Sequence, residues 1–142
     1  TLHDHRAPGA TLLGLQARTT DELIGAFARG VPIDAIDRLA RALGVPREEA
    51  LRLSGISSRT YARRVPEKRL SAEESERVAR LARVIERAHD SFGTERGNGW
   101  LGAAWPVLNF HTPLEYARTD VGAEAVIVAH VPVVVHFEYS ME

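Results

Sequence analysis

Six histidines, nineteen carboxylates and eighteen basic side chains give this 142-residue chain the raw material for metal, acid–base or phosphate chemistry, and it has no cysteine. A metal needs ligands that converge, which on a helix means spacings such as HxxxH or HExxH. His3 and His5 stand near the start, His89, His111, His130 and His136 are scattered, and none forms such a pair. Neither a metal nor a cofactor is expected. Nucleophilic catalysis fares no better, for there is no GxSxG elbow and no phosphate-cradling glycine loop. Gly97-Asn98-Gly99 lacks the preceding strand that nucleotide binding requires. Glu73, Glu74 and Glu76 are accounted for by helix capping and the helix macrodipole. The residues speak for a binding protein, not an enzyme.

Charge is distributed unevenly behind a formal net value of −1. Between Ser57 and Arg69 stand Arg59, Arg63, Arg64, Lys68 and Arg69, against the single acid Glu67. From Gly97 onward the acids Glu115, Asp120, Glu124, Glu138 and Glu142 face one base, Arg118. A compact basic segment can neutralise phosphates, whereas an acidic one is repelled by them. Two partners of different kinds are implied, one of them DNA.

The elements that would position these groups are legible as helices. Residues up to Arg18 carry few signals beyond Leu12, Leu13 and Leu15, and a loose or partly helical lead-in is expected. Thr19 with Glu22 forms a capping box for a helix closed by Gly30. Pro32 suits the first turn of the next, which carries Ile33, Ile36, Leu39, Ala40 and Leu43 up to Gly44. Pro46 opens a short helix ending near Ser54-Gly55, and Ser57 opens another that Pro66 terminates. Ser71 and Glu74 box the start of the longest helix, whose stripe is Val78, Leu81, Ala82, Ile85, Ala88, His89 and Phe92. Arg80, Arg83 and Arg87 lie largely off it, and Glu73–Arg77 and Glu76–Arg80 are i,i+4 pairs. His89 reads as a core histidine with one satisfied nitrogen. A break at Gly97-Asn98-Gly99 follows, then a short helix over Pro113 to Arg118 and another from Asp120 to about His130. Pro132 ends it, and Val133 to Tyr139 reads as a strand or extended segment.

Arg47 to Val65 has helix-turn-helix proportions, with Gly55-Ile56-Ser57 as the turn, Ile56 buried between the helices and Tyr61 on the inner face of the second. The position four before the turn glycine, commonly small, is Leu51. Candidate DNA contacts are Ser57, Ser58, Arg59, Thr60, Arg63, Arg64, Lys68 and Arg69. The alternative is a solvated arginine face on a structural hairpin. At the other end, Val126 to Val135 is too apolar to lie exposed in a stable monomer, so either a partner or the chain's own core covers it.

In order and spacing, the runs Gly55-Ile56-Ser57-x-Arg59-Thr60-x-Ala62-Arg63-Arg64, Arg69-Leu70-Ser71-x-Glu73-Glu74-Ser75-x-Arg77, Phe92-Gly93, Trp100-Leu101 and Thr112-Pro113-Leu114-x-x-x-x-Thr119-x-x-Gly122-x-x-x-Val126 closely resemble the Xre/MbcA/ParS antitoxins. The resemblance covers about Asp21 to Val126. It implies an all-α fold: a lead-in (1–18), an Xre-like helix-turn-helix region (19–69) that represses its own operon, and a toxin-binding region (70–142) ending in a short extended segment. It implies a RES-domain toxin as partner, similar to NAD-consuming ADP-ribosyltransferases, whose NAD pocket the antitoxin covers, and a homodimer in a bacterial cytoplasm without membrane contact. Candidate toxin contacts are Trp100, Leu101, Pro113, Leu114, Thr119, Val126, His130, Val133, Val135, Phe137, Glu138 and Tyr139. The chain departs from the family where Asn109-Phe110-His111 precedes Thr112-Pro113, a place that usually carries a glycine, and in its apolar run after Val126. A second reading is a stand-alone helix-turn-helix regulator whose C-terminal half dimerises or senses a ligand.

Overall fold

The computed structural model describes residues 6–127, and helices account for its regular structure apart from two isolated antiparallel bridges. In chain order these are α1 (Ala10–Leu13), α2 (Thr20–Arg29), α3 (Ala35–Leu43), α4 (Arg47–Ser54), α5 (Ser58–Arg64), α6 (Ala72–Phe92), α7 (Thr94–Leu101), a 3-10 turn (Pro106–Leu108) and α8 (Pro113–Tyr116). Residues 120–127 form a further helix, α9. The extended segment expected at 133–139 lies outside the described residues, as does the helix end expected at His130.

α6 is the axis of the molecule. Ser71 caps it by accepting the Glu74 N–H, while the Glu74 carboxylate accepts the Ser71 N–H, so two orphan donors are satisfied at once. The expected stripe is there, with Val78, Leu81, Ala82, Ile85 and Ala88 buried, but Ser75, Ala79 and Val84 are buried as well. A second face is therefore covered, and α1, α2, α3, α4 and α7 all pack on this one helix.

Four departures from the sequence reading have local physical causes. The lead-in is docked: Ala7, Ala10, Leu13 and Ala17 are buried. Gly9 offers no side chain to cap α1, so Glu86 of α6 does so, its carboxylate accepting the Gly9 and Leu12 N–H groups at 2.8 and 2.9 Å. Pro32 is not in a helical turn but in a bridge to Arg69, because Ile33 N–H donates to Lys68 and Leu70 N–H to Val31. α3 accordingly starts only at Ala35. Gly97 does not break the chain; it sits inside α7, where a Cβ would stand 3.0 Å from the Ala88 carbonyl oxygen. Its glycine serves close helix–helix approach, and α7 lies back along α6 because of it. Arg80, finally, ignores Glu76. Its side chain is only 13% exposed and bonds the Asp120 carboxylate at 2.7 Å and the Arg118 carbonyl at 3.0 Å, clasping α9 to α6.

Since Leu81 and Ile85 are 1% and 0% exposed in the middle of α6, Leu81→Ala or Ile85→Ala should cost roughly 2–5 kcal/mol through reduced burial and the residual cavity. A urea melt reads this directly, and a midpoint within error of the native chain would contradict the placement of α6.

Candidate nucleic-acid and partner interfaces

The basic segment is built on two successive turns of the same kind. α4 ends at Gly55 (φ 67°), Ile56 N–H donates to the Leu51 carbonyl at 3.0 Å, and Ile56 is buried at 4% exposure. The same arrangement joins α3 to α4: Gly44 has φ 67°, and Val45 N–H donates to the Ala40 carbonyl at 3.0 Å. Here the position four before the glycine is Ala40, the small residue missing at Leu51. The spacing Ala40-x-x-x-Gly44 is the signal of this first turn, which a search centred on the basic cluster passes over. Two helix-turn-helix units thus share α4.

Ion pairing separates the two helices that could face a polyanion. On α4, Arg47 is bidentate to Asp37 (2.9 and 3.1 Å) and lies over the Tyr61 ring, 5.1 Å from its centroid. Arg52 is bidentate to Glu49 at 2.7 Å for both bonds, and Glu48 is exposed. These hydrogen bonds hold the Asp37 and Glu49 carboxyls below their ordinary values, so both remain ionised and α4 offers little net positive charge. On α5, Arg59 and Arg63 are exposed, and neither is in an ion pair among the described residues. Ser57 caps the helix by accepting Thr60 N–H, and its hydroxyl also donates to the Thr60 hydroxyl at 3.0 Å. Ser58 is exposed beside it.

Of the remaining basic candidates, the Arg64 and Arg69 side chains are tied into the fold, and that of Lys68 is exposed. Arg64 is bidentate to Glu74 at 2.9 and 3.1 Å and also reaches Glu67, leaving its side chain 19% exposed. Arg69 donates to the Gly30 carbonyl at 2.8 Å. Lys68, at φ 62°, is exposed while its carbonyl accepts Ile33 N–H. Burial pushes the Glu74 carboxyl up, but the Arg64 hydrogen bond and the Ser71 N–H outweigh it and hold it below the ordinary 4.5.

The C-terminal candidates divide by burial. Trp100 (2%), Leu101 (0%) and Val126 (3%) are core, Pro113 is buried with them and Leu114 is half-buried against them. Trp100 stacks at a tilt on Phe92, ring centroids 5.6 Å apart. Thr119 is exposed, and its hydroxyl accepts the Gly122 N–H at the start of α9. Trp100, Leu101 and Pro113 thus pack the core and expose almost no surface, while Leu114 and Thr119 remain partly or fully accessible. His130, Val133, Val135, Phe137, Glu138 and Tyr139 lie outside the described residues, as do His3, His5 and His136. Large apolar side chains that are exposed, and that sequence reasoning passes over, include Val107, Phe110 and Val121. His89 is half-buried, its Nε2 2.7 Å from the Asn98 Oδ1. Among the described residues no three His, Cys, Asp or Glu side chains gather as a metal would need.

A five-helix run with paired helix-turn-helix turns defines the class, and residues 22–83, α2 into α6, match the antitoxin Xre-like helix-turn-helix domain. An Antitoxin Xre of Yersinia enterocolitica is 34% identical over 114 residues, which cover 78% of this chain and 77% of that protein. An Antitoxin Xre of Photorhabdus laumondii is 28% identical over the same length. The chain belongs to the Xre antitoxin family.

The ion pairs separate architecture from surface in a way a melt can read. Arg64→Ala should lower the melting temperature, since it strands a buried carboxylate, whereas Arg59→Ala and Arg63→Ala should leave it unchanged. Because the Glu74 pKa is depressed on folding, its contribution is complete above about pH 4.5 and declines as pH falls through the folded value. The acid limb of the stability profile should therefore be shallower in Glu74→Gln; an identical limb would remove Glu74 from the account.

Proposed function

We propose that this chain neutralises a RES-domain, NAD-consuming toxin through its C-terminal region, and represses its own operon through α5. The observation that carries the DNA half is the contrast between α4 and α5. Two neighbouring helices have the right turn, and only α5 keeps exposed arginines outside ion pairs among the described residues. Arg59 and Arg63, with Ser57 and Ser58 at the helix start, would meet phosphates and base edges. Lys68 would extend the contact, and a homodimer would present two such helices to a two-fold operator. Arg64 and Thr60 position this surface and do not meet DNA themselves.

For the toxin half, the name that both relatives carry supports an antitoxin role. The acids of the C-terminal region, Asp120, Glu124, Glu138 and Glu142, would complement a pocket that binds a pyrophosphate. We place the pocket-covering contacts in residues 128–142, with His130, Val133, Val135, Phe137, Glu138 and Tyr139, because Trp100, Leu101, Pro113 and Val126 before them are core. We also keep a division at 69/70 as a functional one, between the basic and acidic parts of one shared core.

Two measurements test the halves. In Arg59→Ala with Arg63→Ala, affinity for the operon's own promoter should fall, and the slope of log K against log salt should flatten by about 0.9 for each phosphate that is no longer neutralised. An unchanged slope would exclude α5 as the DNA-facing helix. A chain ending at Ile127 keeps every described core residue; it should still bind the promoter but fail to protect cells co-expressing the toxin, scored by growth and intracellular NAD. Full protection by that chain would move inhibition onto the described surface.

A further inference from the structure

The loop between α7 and α8 holds an exposed aromatic ring in a costly backbone. Trp105 and Leu108 anchor it, at 6% and 3% exposure, and the Trp105 indole N–H donates to the Trp100 carbonyl at 3.1 Å. Phe110 N–H donates across the loop to the Trp105 carbonyl at 2.9 Å, and His111 N–H to the Leu108 carbonyl at 3.0 Å. These bonds hold Asn109 at φ 57° and Phe110 at φ 62°. Asparagine tolerates the left-handed region; a phenylalanine there is a true outlier, and such strain collects where a side chain must be presented for a purpose. The ring so presented is 72% exposed, next to Val107 at 58% and the exposed Pro106.

Charge is missing here as well. Residues 97–114 contain no Asp, Glu, Lys or Arg, in a chain that is 26% charged. Depletion of charge around an aromatic residue marks the core of an interface. We infer that loop 105–111 is a docking knob that seats Phe110 in an uncharged, apolar socket on the toxin. This rests on the toxin-binding reading above. DNA does not fit, since the loop offers no cation. A second copy of the chain fits less well, because two of the clefts on its described surface carry charge at their walls. Arg77, Arg80 and Arg118 line one, and Arg83, Asp120 and Glu124 another. The knob is also too small to hold a symmetric dimer alone, which needs about 800 Å² per partner. A protruding ring is matched instead by a pocket on a different protein, as aromatic anchors are.

The test uses the full chain, the RES-domain toxin encoded in its own operon, and two substitutions. Phe110→Ala removes the ring and keeps the strain; Phe110→Gly removes both. Both should raise the toxin off-rate by about tenfold or more in biolayer interferometry. Only Phe110→Gly should also raise the melting temperature, since glycine takes φ 62° freely. Native off-rates in both variants, with a wild-type chain that binds, overturn the knob and leave the antitoxin reading standing. A wild-type chain that binds no toxin overturns both. Native toxin kinetics with a loss of self-association in light scattering make the loop a contact between copies, which also overturns the assignment.

Discussion

A helix with buried side chains on two faces cannot stand alone, and in this protein α6 is that helix. Its 21 residues span about 31 Å, long enough to reach from the basic segment to the tryptophan-rich end. Most of the described helices lean on it, and three of the polar contacts each solve a problem of the element that makes them. α1 has a glycine where a cap should be, and Glu86 supplies the cap. α5 has no buried residue of its own, and the Arg64 fork on Glu74 ties it down. α9 begins with an exposed Asp120, and Arg80 fastens it to α6. Three ionic or charge-assisted contacts at successive heights of one helix add to the little apolar burial that such short elements can make, Ala10 and Leu13 on α1 and Ala123 and Val126 on α9.

That economy decides which arginines are free. The chain is rich in basic side chains, yet a count says little about where a polyanion would sit. Arg47, Arg52, Arg64, Arg77 and Arg80 each have a carboxylate within hydrogen-bonding distance. Of the two helices that follow a turn glycine, α4 and α5, only α5 keeps arginines outside ion pairs among the described residues, Arg59 and Arg63. The two turns are so alike in dihedral angle and hydrogen bonding that backbone geometry alone does not choose between α4 and α5. Electrostatics does, because an arginine already neutralised by an intramolecular carboxylate has to break that pair before it can replace a counterion on DNA.

Local signals make most of the helices legible, and they fail where the cause is distant. Capping boxes at Thr19 and Ser71 and stop glycines at Gly44 and Gly55 act within one turn, so spacing along the chain contains them. The Glu86 cap of α1 joins residues 77 positions apart, and no local pattern can announce it. Gly97 misleads for a related reason. Glycine breaks a helix by propensity and also permits two helices to touch, and only the neighbour, Ala88, tells which. At the candidate sites the basic helix is legible as a cluster, but the split between Arg63 and Arg64 is not, since adjacent residues on α5 point to opposite fates. Trp100 and Val126 look functional in the sequence because they belong to a motif; their near-complete burial makes packing the simpler cause of that motif.

The same axis sets how the two proposed interfaces relate. Arg64 grips α6 at Glu74, and Trp100, the hydrogen-bond anchor of loop 105–111, stacks on Phe92. Those points are eighteen helical steps apart, about 27 Å at the helical rise, but after Phe92 the chain runs back along α6. Ala117 and Arg118 consequently share a cleft with Gly55, at the turn into α5. The positive potential of α5 meets no charge in the loop itself, since residues 97–114 contain none. Coupling between the two interfaces, where it exists, therefore has to travel through packing, along α6 and across the cleft that the two parts of the chain share.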